Sequence, residues 1–227
     1  MVGWKFRLPR GDKQWVAYGD LNCPFCFALE QRLAKREIAS IIEWRLVEHA
    51  PDLPFNGSFA TPAQLEELGV EIESLQQRAP DVSIALPRFR SNSRRAIEAV
   101  AEASLVDPDK ADGLRRSLFT AMWREQKDIA SVELLQALAK EAGLPVLKGT
   151  AKAREEKLRW TNEWRAGGFR RIPVLVSGRN AVLEGLPTMR RLDVFLRNGL
   201  FSSSTEDACE PQPPAEPTST LDPAESA

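Results

Sequence analysis

GDLNCPFCFALEQRLAKR, residues 19–36, places two cysteines three positions apart in a chain whose only other cysteine is Cys209. Such a pair is a redox couple, half of a metal site or a structural disulfide, and its surroundings decide between them. Immediately upstream, QWVAYG (14–19) is a short apolar and aromatic run that reads as a strand. Asp20 to Asn22 turn the chain, and CFALEQRLAKRE then carries helix formers with Cys26, Leu29 and Leu33 three to four apart. Pro24 is tolerated in a first helical turn, where its missing N–H would have had no partner, so Asn22 or Cys23 is the N-cap. IIEWRLVEH (41–49) alternates apolar and polar residues and is rich in β-formers, which predicts a second strand. Strand, helix and strand in that order form a βαβ unit, which implies parallel strands joined by a right-handed crossover.

From about residue 60 the pattern is helical for over a hundred residues, with no strand periodicity. TPAQLEELGVEIESLQQRA opens on a Thr-Pro entry, and SNSRRAIEAVAEASL places Ile97, Val100, Ala101 and Leu105 on one stripe. DPDKADGLRRSLFTAMWREQKD follows with Leu114, Leu118, Phe119 and Met122, and SVELLQALAKEAGL ends on the C-cap signal Gly143. TAKAREEKLRWTNEWRAGG completes the block. Strand signals return at RRIPVLVSG (170–178), NAVLEG (180–185) can pair with it as a hairpin, and LPTMRRLDVFLRNGL closes with a helix whose Leu192, Phe195 and Leu196 face inward. The expected architecture is α/β: a four-stranded mixed sheet with flanking helices, built from residues 1–58 and 168–200, with an all-helical domain inserted at 59–167. Residues 201–227, rich in Pro, Ser, Thr and acids, cannot bury enough apolar surface to offset ordering, so a disordered tail is expected there.

Composition narrows the function. With 227 residues, 43% of them hydrophobic, the chain can bury a real core. Lys and Arg number 31 against 32 Asp and Glu, so there is no global charge for nucleic-acid binding, and the charges are expected to form a solvated mixed surface. The N-terminus lacks the apolar segment of a secretory signal, and no stretch approaches a membrane span, so a cytoplasmic location and no membrane partner are expected. Three cysteines in a reducing compartment argue for a transient, catalytic pair rather than a disulfide scaffold.

A metal site needs four ligands, yet the chain offers Cys23, Cys26, Cys209 and one histidine, His49, without a second CxxC or an HxxxH, so no metal is expected. A structural disulfide across one helical turn closes a very small loop and stabilises little. The redox reading is favoured because a helix N-terminus lowers the thiol pKa of the first cysteine, leaving the second, one turn in, to resolve a mixed disulfide. A CxxC at a strand-to-helix junction within a βαβ unit is the stronger form of this signal.

CPFC after the first strand, with IPVLV before the last hairpin, resembles the thioredoxin fold, and the helical insertion narrows the resemblance to the DsbA-like family, including its FrnE-type and 2-hydroxychromene-2-carboxylate isomerase branches. The segments LFTAMWREQKDIASVELLQALAKEAGLP (118–145), EHAPDLPFNG (48–57), NSRRAIEAVAEA (92–103) and IPVLVSGRNAVLEGLPTMRRLDVFL (172–196) carry it over roughly residues 14–199. The resemblance implies that Cys23 is the nucleophile and Cys26 the resolving cysteine, with Pro24 and Phe25 tuning the reduction potential. It also implies that Pro173 is the cis-proline that aligns a substrate chain and that Ile172 lines the thiol face. Thiol–disulfide exchange with protein or small-molecule thiols is the implied activity, with no bound cofactor and glutathione as a possible redox partner. Two alternatives stand: a glutathione-dependent isomerase or transferase, whose branches usually carry serine in place of the nucleophile, and a chaperone or binding module using the helical domain.

Arg88, Arg90, Arg94 and Arg95 cluster in PRFRSNSRR, and Arg170 and Arg171 precede Pro173. The plain reading is solvated surface and helix capping; the functional one is an electropositive rim for a thiolate or an acidic substrate, with Arg170 and Arg171 the better placed. His49 is read as a loop or capping residue rather than a proton shuttle, and the six tryptophans as core and domain-interface filler.

Overall fold

A computed structural model describes residues 13–178 and 180–200. Cys209 and the expected tail at 201–227 lie outside the described residues. Strand β1 (Trp15–Gly19) is followed by helix α1 (Pro24–Ala34) and, after a short 3-10 turn, by strand β2 (Ile42–Leu46). At the other end of the described chain, β5 (Val174–Ser177), β6 (Val182–Glu184) and α7 (Met189–Leu200) complete the α/β layer. The sheet order is β2-β1-β5-β6, with β1 parallel to β2 and antiparallel to β5, the mixed four-stranded arrangement expected from the pattern.

All five residues of β1 are buried, which is why its sequence is a continuous apolar run rather than an alternating one. Successive side chains still go to opposite faces. Trp15 and Ala17 join the large core containing Phe27, Leu29, Leu33, Leu118 and Phe119. Val16 and Tyr18 join a smaller cluster with Val47, Phe169, Val174 and Val176.

Between β2 and β5 lie α2 (Pro62–Arg78), α3 (Arg94–Val106), α4 (Pro108–Trp123), α5 (Val132–Glu141) and α6 (Ala151–Ala166). Four of the five starts are fixed by side-chain caps, α3 being the exception. Thr61 forms a reciprocal capping box with Gln64, and Asp107, Ser131 and Thr150 each accept from first-turn amides. One element breaks the expectation of unbroken helix: Phe89–Arg90 forms a strand, β4, antiparallel to β3 at Ser58–Phe59. Two-residue strands are too short to show a period of two, and this ladder is held by its own pairing and an edge-on Phe59–Phe89 contact at 5.3 Å. Leu105 also departs from its predicted stripe and is 46% exposed at the end of α3.

The charged residues are not uniformly a solvated surface. Arg32, Arg45 and Arg115 are fully buried, and each ties two layers together. Arg45 of β2 pairs with Glu163 of α6 at 2.8 Å. Arg115 of α4 pairs with Glu30 of α1 at 2.7 Å, and Arg32 of α1 donates to the Pro187 carbonyl at 2.7 Å. Arg94 and Arg95 of the predicted cluster are likewise engaged, Arg94 with Glu48 at 3.0 Å and Arg95 with the Phe55 ring at 4.1 Å.

Candidate active site

Cys23 is the N-cap of α1, with extended backbone and no capping hydrogen bond from its side chain, and Pro24 occupies the first helical turn. The Cys26 backbone N–H acts on a sulfur there rather than on an oxygen cap, and the helix dipole adds its positive end. Cys23 is 4% exposed and Cys26 fully buried; both are free thiols. Pro24 is buried and Phe25 half-buried against the core.

The two thiols are driven apart in acidity. For Cys23, burial pushes the pKa up, but the Cys26 thiol hydrogen bond, the positive charge of His49 and the Cys26 backbone N–H outweigh it, so the net shift is downward. For Cys26, burial and the hydrogen bond and charge of Cys23 act together and hold the pKa well above the ordinary thiol value.

The charge beside Cys23 is assembled by Asp20, which the sequence marks only as part of a turn. Asp20 is fully buried, and its carboxylate accepts from the His49 backbone N–H at 2.8 Å and lies 2.9 Å from His49 Nδ1. With the Asn22 amide turned so that its nitrogen faces the carboxylate, Asn22 also donates to Asp20 Oδ2 at 3.0 Å. The Asp20 carbonyl accepts from the Cys23 N–H at 3.2 Å, so one residue orients both the nucleophile and its cation. Burial disfavours the His49 imidazolium, but the Asp20 hydrogen bond and charge override it, and the His49 pKa is raised. His49 is thus part of the site and not simply a capping residue. Its signal in the sequence was only its position after the strand paired with β1, on the side where α1 begins.

Pro173 is buried, and the Ile172–Pro173 peptide is cis. The register Tyr18↔Val174 sets Pro173 beside Gly19 at the end of the β1–β5 ladder. Gly19 is required there: a Cβ would lie 2.9 Å from Cys26 Sγ and 2.8 Å from Trp44 Cζ3. Ile172 is half-buried and packs against both cores. Arg171 is exposed, its stem 3.7 Å from where a Cβ on Gly185 would lie; the charges acting on Cys23 are those of His49 and Asp20. The helical block reaches the site through α4: Trp123 is buried and its Nε1 donates to the Leu21 carbonyl at 2.8 Å. Beside Asn22 and His49 opens a cavity of about 170 Å³, with Glu67, Glu71 and Arg90 in its wall. Among the described residues, no group of three or more His, Cys, Asp or Glu could hold a metal ion, and no helix is long and apolar enough to cross a membrane.

Comparison with known proteins agrees with this geometry. The family described as the DSBA-like thioredoxin domain matches residues 16–159. Among solved structures, the chain is similar to a putative protein disulfide isomerase from Nitrosomonas europaea, at 20% identity and a TM-score of 0.61, covering 82% of this chain and 99% of the other. It is similar to a probable DsbA oxidoreductase from Streptomyces coelicolor at 15% identity and a TM-score of 0.68, covering 90% and 99%. A 2-hydroxychromene-2-carboxylate isomerase structure shares 16% identity and a TM-score of 0.57 over 81% and 93% of the two chains. These likenesses concern the fold. No curated protein matches the chain by sequence.

Proposed function

The chain belongs to the DsbA-like thioredoxin-domain family, and from that premise we propose that it is a thiol–disulfide oxidoreductase working through Cys23 and Cys26. The observation that carries the reading is the split in acidity between the two thiols. Cys23, at a helix N-terminus beside His49, has its pKa lowered, while Cys26, one turn deeper, has its pKa raised. A nucleophile must be a thiolate, whereas a resolving thiol is best kept protonated until it is needed.

In the reducing direction, Cys23 Sγ as thiolate attacks one sulfur of a substrate disulfide, forming a mixed disulfide and releasing the other sulfur as a thiolate. Cys26 then loses its proton and attacks Cys23 Sγ. The second substrate thiolate leaves, and the Cys23–Cys26 disulfide remains. Two electrons pass to the substrate, and the reverse sequence oxidises a dithiol. Pro173 and Ile172, next to Gly19, offer the edge along which a substrate chain would lie, with Pro24 and Phe25 setting the potential and Arg171 on the outer rim. No bound cofactor takes part in these steps. A small thiol such as glutathione would reset the pair, and the cytoplasm, where structural disulfides are rare, is the compartment that fits a chain with so few cysteines.

Redox titration of the Cys23–Cys26 pair against glutathione tests the reading. A reversible two-electron transition that disappears in Cys23→Ser is expected; a pair that forms no disulfide across the titration refutes it. Cys26→Ala should accumulate mixed disulfides through Cys23. Turnover that survives Cys26→Ser and requires glutathione would instead mark an isomerase or transferase.

A further inference from the structure

Attack by Cys23 on a disulfide brings the groups attached to both substrate sulfurs up to the site, and the walls around the thiol set which groups are favoured. Cys23 is only 4% exposed, so those groups must use whatever space opens beside it. On the His49 side that space is the cavity of about 170 Å³ bordered by Asn22 and His49. An apolar cavity of roughly 150 Å³ holds benzene, so this one has room for a short side arm.

One wall of the cavity is a stripe of α2. Gln64, Glu67, Leu68 and Glu71 are three and four residues apart and so share a helix face, which Ile72 and Leu75 anchor through their burial in the core. The stripe carries two carboxylates and no cation. The Gln64 side chain is engaged in the α2 cap, its Oε1 accepting from the Thr61 N–H at 3.1 Å. Among the described residues, neither Glu67 nor Glu71 has an ion-pair partner.

The rest of the wall does not cancel this charge. His49 is matched by Asp20 at 2.9 Å. Arg90 also borders the cavity, but it is not among the groups that act on Glu71, whose pKa burial raises and the His49 charge lowers. In its reactive form Cys23 adds a thiolate on the same side. An arriving substrate therefore meets two carboxylates and a thiolate against one guanidinium. Glu71 is half-buried, and a half-buried carboxylate without a partner is stabilised by an arriving cation and destabilised by an arriving anion.

We infer that Glu71, seconded by Glu67, is a specificity-determining residue of the dithiol site, selecting disulfides that carry an alkylammonium group close to the attacked sulfur. The inference rests on the thiol–disulfide reading and names a substrate class for it. Two sources share this chemistry: a small aminothiol disulfide, and a polypeptide with lysine beside its cystine. With cystamine, the Cys23 Sγ thiolate attacks one sulfur, a Cys23–cysteamine mixed disulfide forms, and one cysteamine thiolate leaves. Cys26 then gives up its proton, attacks Cys23 Sγ and expels the second cysteamine. Two electrons pass to cystamine, and the Cys23–Cys26 disulfide remains.

The test mixes the reduced full chain with cystamine or with its neutral counterpart, 2-hydroxyethyl disulfide, and follows loss of free thiol after acid quenching. Each rate constant is divided by that of dithiothreitol with the same disulfide, which removes the intrinsic reactivity of the two reagents. Cystamine should lead by about fivefold or more, the worth of one half-exposed ion pair. Glu71→Gln should lower that ratio severalfold and Glu67→Gln by a smaller factor. A general change in Cys23 reactivity affects both disulfides alike and cancels in the ratio. Glu71→Lys should invert the preference, so that the dianion 3,3′-dithiodipropionate overtakes cystamine. Peptide disulfides containing Cys-Lys or Cys-Gln separate the two sources. A lead for the lysine peptide extends the class to basic polypeptides, and a lead confined to cystamine limits it to small aminothiols. The inference is overturned, with the thiol reading intact, if neither pair shows a preference or if both glutamine variants leave the ratio unchanged. If no disulfide oxidises the pair, the thiol reading itself fails. Glu67 is exposed on α2, so Glu67→Gln keeps the test decisive even if Glu71→Gln fails to fold.

Discussion

Replacing His49 with glutamine removes the only imidazole in the chain and, with it, the positive charge that lowers the Cys23 pKa. A cation within ~5 Å of a thiolate stabilises it by about 3 kcal/mol at an effective dielectric of ~20. Two features of the site cut that value. The Asp20 carboxylate, 2.9 Å from His49 Nδ1, acts on Cys23 with the opposite sign, and the His49 side chain is 42% exposed, so water screens its field. A net effect of about 1 kcal/mol remains, equivalent to ~0.7 pH unit on Cys23. His49→Gln should therefore raise the Cys23 pKa by that amount and leave roughly fivefold less thiolate below it. Since the reduced form loses that stabilisation, the pair should also become more reducing, by about 20 mV. The pH dependence carries a definite sign. The His49 pKa is raised in the folded protein, so its charge acts fully below the ordinary imidazole value near 6.5 and is lost as pH rises through the folded value. Wild type and variant should therefore differ most at low pH and converge at high pH. Ultraviolet thiolate absorbance and alkylation rate against pH, both measured in a Cys26→Ser background, read the shift. An unchanged Cys23 pKa, or a difference that grows with pH, would refute the reasoning.

Other perturbations follow from the same geometry. Asp20→Asn should bring the His49 pKa back toward its ordinary value, which is readable without ambiguity because the chain has a single histidine ring to follow by NMR. Gly19→Ala forces a methyl group to within 2.8 Å of Trp44 Cζ3 and 2.9 Å of Cys26 Sγ, and should destabilise the fold by about 1–3 kcal/mol in urea titration. Arg115→Met leaves Glu30 buried without its partner and should cost about 3–5 kcal/mol at neutral pH. Urea titration reads the loss, and an unchanged midpoint would argue against the pair.

What the sequence revealed and what it hid divide along physical lines. The βαβ unit, the N-cap position of Cys23 and the apolar faces of α1 and α4 are local properties, written in periodicity and in Pro24, and they were legible. Gly143, at φ 71° just past α5, was legible for the same reason. The Asp20–His49 contact joins two turns 29 residues apart that carry no periodicity, so neither residue declares the other. Arg32, Arg45 and Arg115 looked like solvent-facing charge because an arginine is ordinarily exposed; only the packed layers show the carboxylate or carbonyl waiting for each one. The β3–β4 ladder was invisible because two residues cannot display a period.

The hydrogen bond from Trp123 to the Leu21 carbonyl has a consequence for how this fold can be rearranged. The last residue of α4 grips the turn two residues before the nucleophile, so the helical block is not a detachable module hung from a generic redox core. Chimaeras that exchange it between relatives would inherit a turn whose carbonyl has lost its donor. Sequence change in the block is therefore coupled to the redox core at this turn, as it is where Arg115 meets Glu30 and where Glu163 meets Arg45. Grafts that carry residues 21–30 together with residues 115–123 of α4 keep both contacts and are the ones expected to keep a working dithiol.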